Sequence, residues 1–450
     1  MMDTSPAAAR STSKPLVFAL VVLLLLTAFL LRIRTLWSPH WHGGQSIYAA
    51  LAMKWNNDGI VDYNLNSVVA QRLPVGRAEN LYMMILAARP GAPGFVDALA
   101  GRGWDVFRRQ PFPAPPFFPA LIREAHSFFL KPLFAFTVLS GEANASYKLW
   151  INGTMFRLQS WITVIPLLAS LSLIAVAFFL ARAWFGTLAG VLAGCALVTN
   201  PVDMLASNQA LPHTLAAALI AFSAVTVLAA ERRRSHPVFF CAGLLSGLAV
   251  LTSYTALLFL PAVATMFLAE HRLNTPKRFL TSGFVTFFAG FFFIATQWFV
   301  VVRWDFFFSD VVAMARAAVA EGWAPDPHSR PLSIIYYPWT LVFLSPPLLL
   351  AVGSLRKKIF LSDNADKIRF LWFWCAPFLI FFLLNPLSKD IVNLLPILVP
   401  LSLLSSYSLR DILKPDQKTV SWFLLALLSL SYFWSIYNGV QACTNLKTWL

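Results

Sequence analysis

Asp58 and Asp62 stand four residues apart in the turn-forming segment Asn57-Asp58-Gly59-Ile60-Val61-Asp62-Tyr63, a spacing at which either carboxylate could take a proton from a hydroxyl. Two loop carboxylates are also what an ordinary solvated surface carries. Upstream, His40 and His42 flank Trp41. An imidazole with an unperturbed pKa of about 6.5 suits general-base work, so His42 is a further candidate. A metal role for the two histidines would need a third ligand, and none is spaced to supply it. Lys389 and Asp390 share a very short polar stretch between two apolar runs. An ammonium there can pair with a lipid phosphate at headgroup level, or it can simply snorkel to the interface. A last polar cluster, Asn208-Gln209-Ala210-Leu211-Pro212-His213, precedes another apolar run and offers His213 as a polar group beside the same surface. Cys195, Cys241 and Cys375 lie inside apolar runs with no CxxC spacing, and read as small packing residues.

The elements that must hold these groups are dictated by composition. Hydrophobic residues make up 58% of the chain, charged residues 12%, and the mean hydropathy is +0.66. A soluble domain carries roughly 25% charged residues, so lipid is the solvent here. Apolar runs predict helices at Pro15–Leu31, Met155–Leu180, Thr187–Val198, Leu211–Ala229, Pro237–Leu251, Thr255–Leu268, Phe279–Val302, Ile334–Leu355, Phe370–Leu384, Ile391–Leu404 and Val420–Tyr437. The expectation is an all-α polytopic membrane protein, a bundle of about 11 transmembrane helices with a large first outer loop. The first helix reads as uncleaved, because Leu31-Arg32-Ile33-Arg34 offers no small-residue cleavage site. The chain then divides into 1–31 (N-terminus and first helix), 32–154 (large loop), 155–302 (helices 2–7), 303–333 (second loop) and 334–450 (helices 8–11 with a short tail).

Charge sets the orientation. The formal charge of +15 is concentrated in connections such as Arg232-Arg233-Arg234 and Arg356-Lys357-Lys358, at alternate ends of the apolar runs. The positive-inside rule then places the N-terminus in the cytoplasm and 32–154, 303–333 and the tail outside. No basic face interleaved with aromatics is visible, which excludes nucleic acid as a partner. A transporter would need ionisable residues inside the bundle, and mid-helix carboxylates are nearly missing. The polar chemistry is collected in outer loops, as in an enzyme that works at the membrane surface on a lipid substrate.

Within the first loop, Ile47–Met53 is amphipathic and suits an interfacial helix, and Pro111–Pro119 is proline-rich and aromatic. Arg32-Ile33-Arg34 followed by Gln45-Ser46-Ile47-Tyr48, the segment Pro115-Pro116-Phe117-Phe118-Pro119, the turns Arg182-Ala183-Trp184-Phe185-Gly186 and Gly243–Thr252, and the late run Ser388-Lys389-Asp390-Ile391-Val392-Asn393-Leu394-Leu395-Pro396 together resemble the GT-C superfamily of polyprenyl-phosphate-sugar-dependent glycosyltransferases. The branch resembled is that of the bacterial relatives of dolichyl-phosphate-mannose protein mannosyltransferase and of the lipid A aminoarabinose transferase. In the late run Asn393 stands where the family pattern has an aromatic residue.

The resemblance implies an inverting transfer of a monosaccharide from a polyprenyl-phosphate donor to a lipid, glycan or protein acceptor, at the outer face of a bacterial inner membrane. It implies that Lys389, with an arginine of the first loop, holds the phosphate, and that Gln45, Tyr48, Asp390 and His213 line the substrate site. It also brings a divalent cation into view, which some members use. The family's Asp-Glu pair is replaced here by Gly44 and Gln45, and neither can accept a proton. Three readings follow. The base is displaced, to Asp58 or Asp62 or by folding to Asp203, Glu142 or Asp390; a histidine, His42 or His213, serves; or the chain is a catalytically silent GT-C-like scaffold or lipid-binding protein. An O-antigen ligase or polymerase is a rival enzyme, but it would be expected to carry an arginine-rich late loop, and 303–333 holds only Arg303, Arg316 and Arg330.

Overall fold

The computed structural model describes residues 14–36, 117, 121, 155–209, 211–268, 277–301, 330–355, 364–384, 391–412 and 418–444. These fold into helices α1 (Lys14–Leu36), α2 (Met155–Phe185), α3 (Thr187–Val198), α4 (Pro201–Ala206), α5 (His213–Arg233), α6 (His236–Thr252), α7 (Leu260–Leu268), α8 (Lys277–Val301), α9 (Arg330–Leu344), α10 (Pro346–Leu349), α11 (Ala365–Leu384), α12 (Leu395–Ile412) and α13 (Lys418–Thr444). Short 3-10 turns at Tyr254–Phe259, Leu350–Leu355 and Ile391–Leu394 precede α7, follow α10 and precede α12. Among the described residues there is no strand. That is what hydrocarbon requires, since a helix satisfies its own backbone and an open sheet edge cannot.

Every apolar run read from the sequence falls on helix. By length and composition, five of the described helices could each cross a membrane, or six if the bent pair α9–α10 counts as one; 187–198, 236–252 and 254–265 are shorter apolar helices. The large loop lies mostly outside the described residues; Phe117, from its proline-rich segment, packs against the core.

α1 shows how one sequence serves two solvents. Leu16, Phe18, Leu23, Leu26 and Leu30 are exposed, whereas Val17, Leu24, Ala28 and Arg32 form a buried stripe against α2 and α3. The stripe ends in a charge, which needs a partner. α12 is the opposite case, with Leu395, Ile397, Leu398, Leu403 and Leu404 all fully buried at the centre of the bundle. Its serines are buried too, and two of them donate to backbone carbonyls of the preceding turn: Ser402 Oγ to Val399 O at 2.7 Å and Ser406 Oγ to Leu403 O at 2.8 Å.

The run 334–355, expected as one helix, is broken. α9 and the segment from Pro346 meet at 119°, with Ser345 between them. Pro346 and Pro347 explain the break, because proline removes amide donors and disfavours helical backbone in the residue before it. The Phe343 carbonyl, whose helical donor Pro347 cannot supply, accepts from Trp434 Nε1 and Asn438 Nδ2 of α13 at 2.7 and 3.2 Å, and Ser405 Oγ donates to Pro347 O at 2.5 Å. A break at membrane depth is tolerated where protein satisfies it in this way.

α6 packs between α5 and α8. α6 and α8 approach backbone to backbone at Gly243 and Gly290; a Cβ on Gly243 would collide with the Phe287 carbonyl, and one on Gly290 with the Phe240 carbonyl. Both obstacles are main chain and cannot swing aside. Gly243→Ala should therefore separate the helices and lower stability by about 1–3 kcal/mol, as overpacking does. Thermal unfolding of the purified chain in lipid checks this, with Ala242→Gly as the comparison that opens space instead of filling it.

Candidate functional site

Polar groups gather at the end of the bundle where α1 and α3 finish and α5 begins. α3 runs out at Val198, Thr199 ends its last turn, and Asn200 starts the short helix α4. Asn200 Oδ1 accepts from the Asp203 amide at 3.1 Å, and Pro201 occupies the first helical position, where a missing amide costs nothing. The connection between the apolar runs ending at Val198 and starting at Leu211 therefore contains a capped helix, and Asn-Pro-x-Asp at 200–203 is its sequence signal.

The cap points Asp203 into the bundle. Its Oδ2 lies 2.7 Å from Arg32 Nη2 and accepts from Ser170 Oγ of α2 at 2.6 Å, and both charged side chains are fully buried. The same guanidinium donates to the Leu197, Val198 and Ala28 carbonyls, each at 3.2 Å. The last carbonyls of α3 have no partner within their own helix, so Arg32 neutralises a helix C-terminus as well as a carboxylate. Asp203 Oδ1 has no hydrogen-bond partner among the described residues. On the other side of α4, Asn200 Nδ2 donates to Ser345 Oγ at 2.8 Å, at the break between α9 and α10. α4 packs against α13 and against the 3-10 turn Ile391–Leu394, whose Asn393 Nδ2 donates to Tyr337 Oη of α9 at 3.2 Å.

Of the candidate residues, the structure places His213 as the first residue of α5, half-buried, on the connection that also carries Asp203. Asp58, Asp62, His42, Gln45, Tyr48, Lys389 and Asp390 lie outside the described residues. Lys389 and Asp390 immediately precede the turn Ile391–Leu394 that α4 contacts. Asp203, one of the carboxylates considered as a displaced base, is sealed from solvent and committed to Arg32 and Ser170, so it acts as a clamp. Arg32 is likewise committed and is not the arginine that would meet a phosphate. Among the described residues no three His, Cys, Asp or Glu side chains converge as a metal site.

Comparison with solved structures now decides the architecture. An oligosaccharyltransferase from Archaeoglobus fulgidus, tethered to an acceptor peptide, superposes with a TM-score of 0.59 at 14% identity, covering 96% of this chain and 55% of that one. ArnT from Cupriavidus metallidurans bound to undecaprenyl phosphate gives 0.55 at 16% identity, covering 93% and 64%. The chain has the GT-C fold. ArnT in the apo state agrees, at 0.53 and 17% identity over 92% of this chain and 63% of its own. The sequence profile described as dolichyl-phosphate-mannose-protein mannosyltransferase matches residues 146–298, about a third of the chain. No curated protein matches the chain by sequence. This chain spans a little over half to just under two thirds of the length of the GT-C structures it resembles. What is shared with them at these identities is the fold, and with it integral membrane architecture.

Truncating Arg32 would strand Asp203 in the bundle. Arg32→Ala should cost about 3–5 kcal/mol, the scale for uncoupling a buried pair. Arg32→Met combined with Asp203→Leu should recover most of that loss, because the second change removes the stranded charge. Unfolding midpoints of the single and double variants check the sign; a double variant no more stable than Arg32→Ala would mean that the pair is not what holds α1 to α4.

Proposed function

We propose that the chain is an inverting membrane glycosyltransferase, moving a monosaccharide from a polyprenyl-phosphate donor to an acceptor hydroxyl at the outer face of a bacterial inner membrane. The observation that carries this reading is the likeness in fold, over 93% of the chain, to ArnT, a protein solved with undecaprenyl phosphate bound. The orientation is supported by charge. Arg232, Arg233 and Arg234 are exposed at the turn after α5, whereas the Arg32–Asp203 network lies ahead of the start of that helix.

The donor enters sideways from the outer leaflet, and Lys389 meets its phosphate. Asp58 or Asp62, or in their place His42, removes the acceptor proton. The hydroxyl oxygen attacks the anomeric carbon from the face opposite the phosphate. The new glycosidic bond forms as the bond from carbon to phosphate oxygen breaks, and the lipid phosphate leaves with the electron pair. Gln45, Tyr48, Asp390 and His213 orient the sugar and the acceptor. Stabilising the charge that grows on the leaving phosphate is the largest service the protein can offer, because preorganised cations act strongly where water is excluded. The acceptor is a lipid, a glycan or a protein.

Transfer from radiolabelled polyprenyl-phosphate sugars, with purified protein in native-like lipid, tests the reading. Lys389→Ala should slow turnover by about 100-fold or more while the helical content and unfolding midpoint stay put. One of Asp58→Asn, Asp62→Asn and His42→Gln should abolish transfer, which identifies the base. Near-normal transfer by Lys389→Ala would remove that residue from the mechanism. Donor binding that depends on Lys389 without any transfer would make the chain a silent relative, a reading kept in play by Gly44 and Gln45 standing where the family has its acidic pair.

A further inference from the structure

The Arg32–Asp203 pair is fully buried, and its connections lead somewhere specific. Asp203 sits on a single turn and a half of helix whose cap, Asn200, bonds Ser345 at the break of α9–α10. The same helix packs against the turn Ile391–Leu394, which begins one residue after Asp390 and is itself tied to α9 by Asn393 and Tyr337. α13 closes the arrangement: Gly439 lies flat against Met204 and Pro201, while Trp434 and Asn438 hold Phe343 on the other side of the break. Thus α4 packs against the turn that follows Lys389 in sequence, and its cap Asn200 reaches the break of α9–α10.

We propose that Asp203 is a positioning residue for the donor: by fixing α4 to Arg32 and Ser170, it holds the turn 391–394 and the break at Ser345 in register, and so governs binding of a polyprenyl-phosphate ligand beside the turn that Lys389 precedes in sequence. The donor identity rests on the function proposed above; the mechanical link from Asp203 to the turn does not. Asp203 itself touches neither sugar nor phosphate, since it is fully buried with Arg32. Its influence passes through α4, which packs against the turn 391–394 and is tied to the break by the side-chain bond from its cap, Asn200, to Ser345. Irregular backbone is where a membrane bundle can shift most cheaply, because few intrahelical bonds resist it.

The experiment uses the full chain in lipid nanodiscs, with Asp203→Asn, Ser345→Ala and a control, Ser223→Ala. Asp203→Asn keeps the side-chain shape but removes the charge. Ser345→Ala cuts the path without touching the pair, so it stands in should Asp203→Asn fail to fold. Ser223→Ala breaks a buried bond from α5 to the Ala242 carbonyl and Ser246 of α6, away from α4. Amide hydrogen exchange over 392–398 and 345–349 should speed up about tenfold in the first two variants and not in the control, as expected for a local opening. Donor KM should rise by about tenfold with kcat within a factor of two, the pattern of lost binding rather than lost chemistry. Unchanged exchange over 392–398 in both variants, or a KM no different from that of Ser223→Ala, would overturn the role. If the unmodified chain turns over no polyprenyl-phosphate sugar, the proposed reaction falls, while the exchange result still decides whether Asp203 governs the turn.

Discussion

A guanidinium and a carboxylate fully buried in a hydrocarbon-facing bundle are the constraint around which this end of the protein is organised. Neither ion could be left alone there. Desolvation costs several kcal/mol per ion in real proteins, and only close pairing with additional hydrogen bonds returns it. Here Arg32 serves a carboxylate and three backbone carbonyls from two helices. The pair also lies where backbone dipoles favour it, with the cation at the C-terminus of α3 and the carboxylate in the first turn of α4. Because the charges can be satisfied only in one relative placement of α1, α2, α3 and α4, they specify register in a way that interchangeable leucines cannot.

That register propagates to the broken helix. A proline pair at 346–347 would be a defect in an isolated membrane span, exposing carbonyls to lipid. In this bundle the defect is met by side chains from three directions: Asn200, the cap of α4, Ser405 from α12, and Trp434 with Asn438 from α13. Trp434 and Asn438 donate to the Phe343 carbonyl, whose helical amide partner Pro347 cannot supply, so the proline and these two side chains explain one another. Asn200 and Ser405 bond the Ser345 hydroxyl and the Pro347 carbonyl and fix the two arms of the break to their neighbours.

The helices were legible in the sequence because hydrocarbon leaves few options. Runs of apolar residues in a chain with 12% charge must be helical, and all the runs read from 14 to 444 carry helix. The GT-C resemblance was legible too, from motifs at the turns and the late Ser-Lys-Asp run. What escaped was pairing between distant residues. Arg32 reads as part of the Arg-Ile-Arg run after the first helix, and Asp203 as one of several carboxylates that could serve as a displaced base; nothing local says that positions 171 residues apart meet at 2.7 Å. Ser170 was hidden among apolar neighbours in α2, as any small polar residue in a membrane helix is. The break at Ser345 was signalled by Pro346-Pro347, but hydropathy averages across such a pair and sees one span. For the candidate chemistry, the reach of the structure is narrower: His213 is placed, and the turn after Lys389 is placed.

Sequence similarity reaches less far along this chain than the fold does. The mannosyltransferase profile matches 146–298 and stops, although the fold is shared over more than nine tenths of the chain. The matched span holds contacts that admit few substitutions: Gly243 and Gly290 lie against main chain, so only the absence of a side chain fits, and Asn200, Pro201 and Asp203 each perform a separate capping or pairing task. It also turns apolar side chains such as Phe222, Val285 and Phe292 outward, as the rest of the chain does with Trp339, Phe373 and Phe433, and the deeply buried α12 lies beyond it. A lipid tail makes no distinction between leucine, phenylalanine and isoleucine beyond volume and area, so on such faces, wherever they fall, burial and backbone satisfaction carry the fold and residue identity does not.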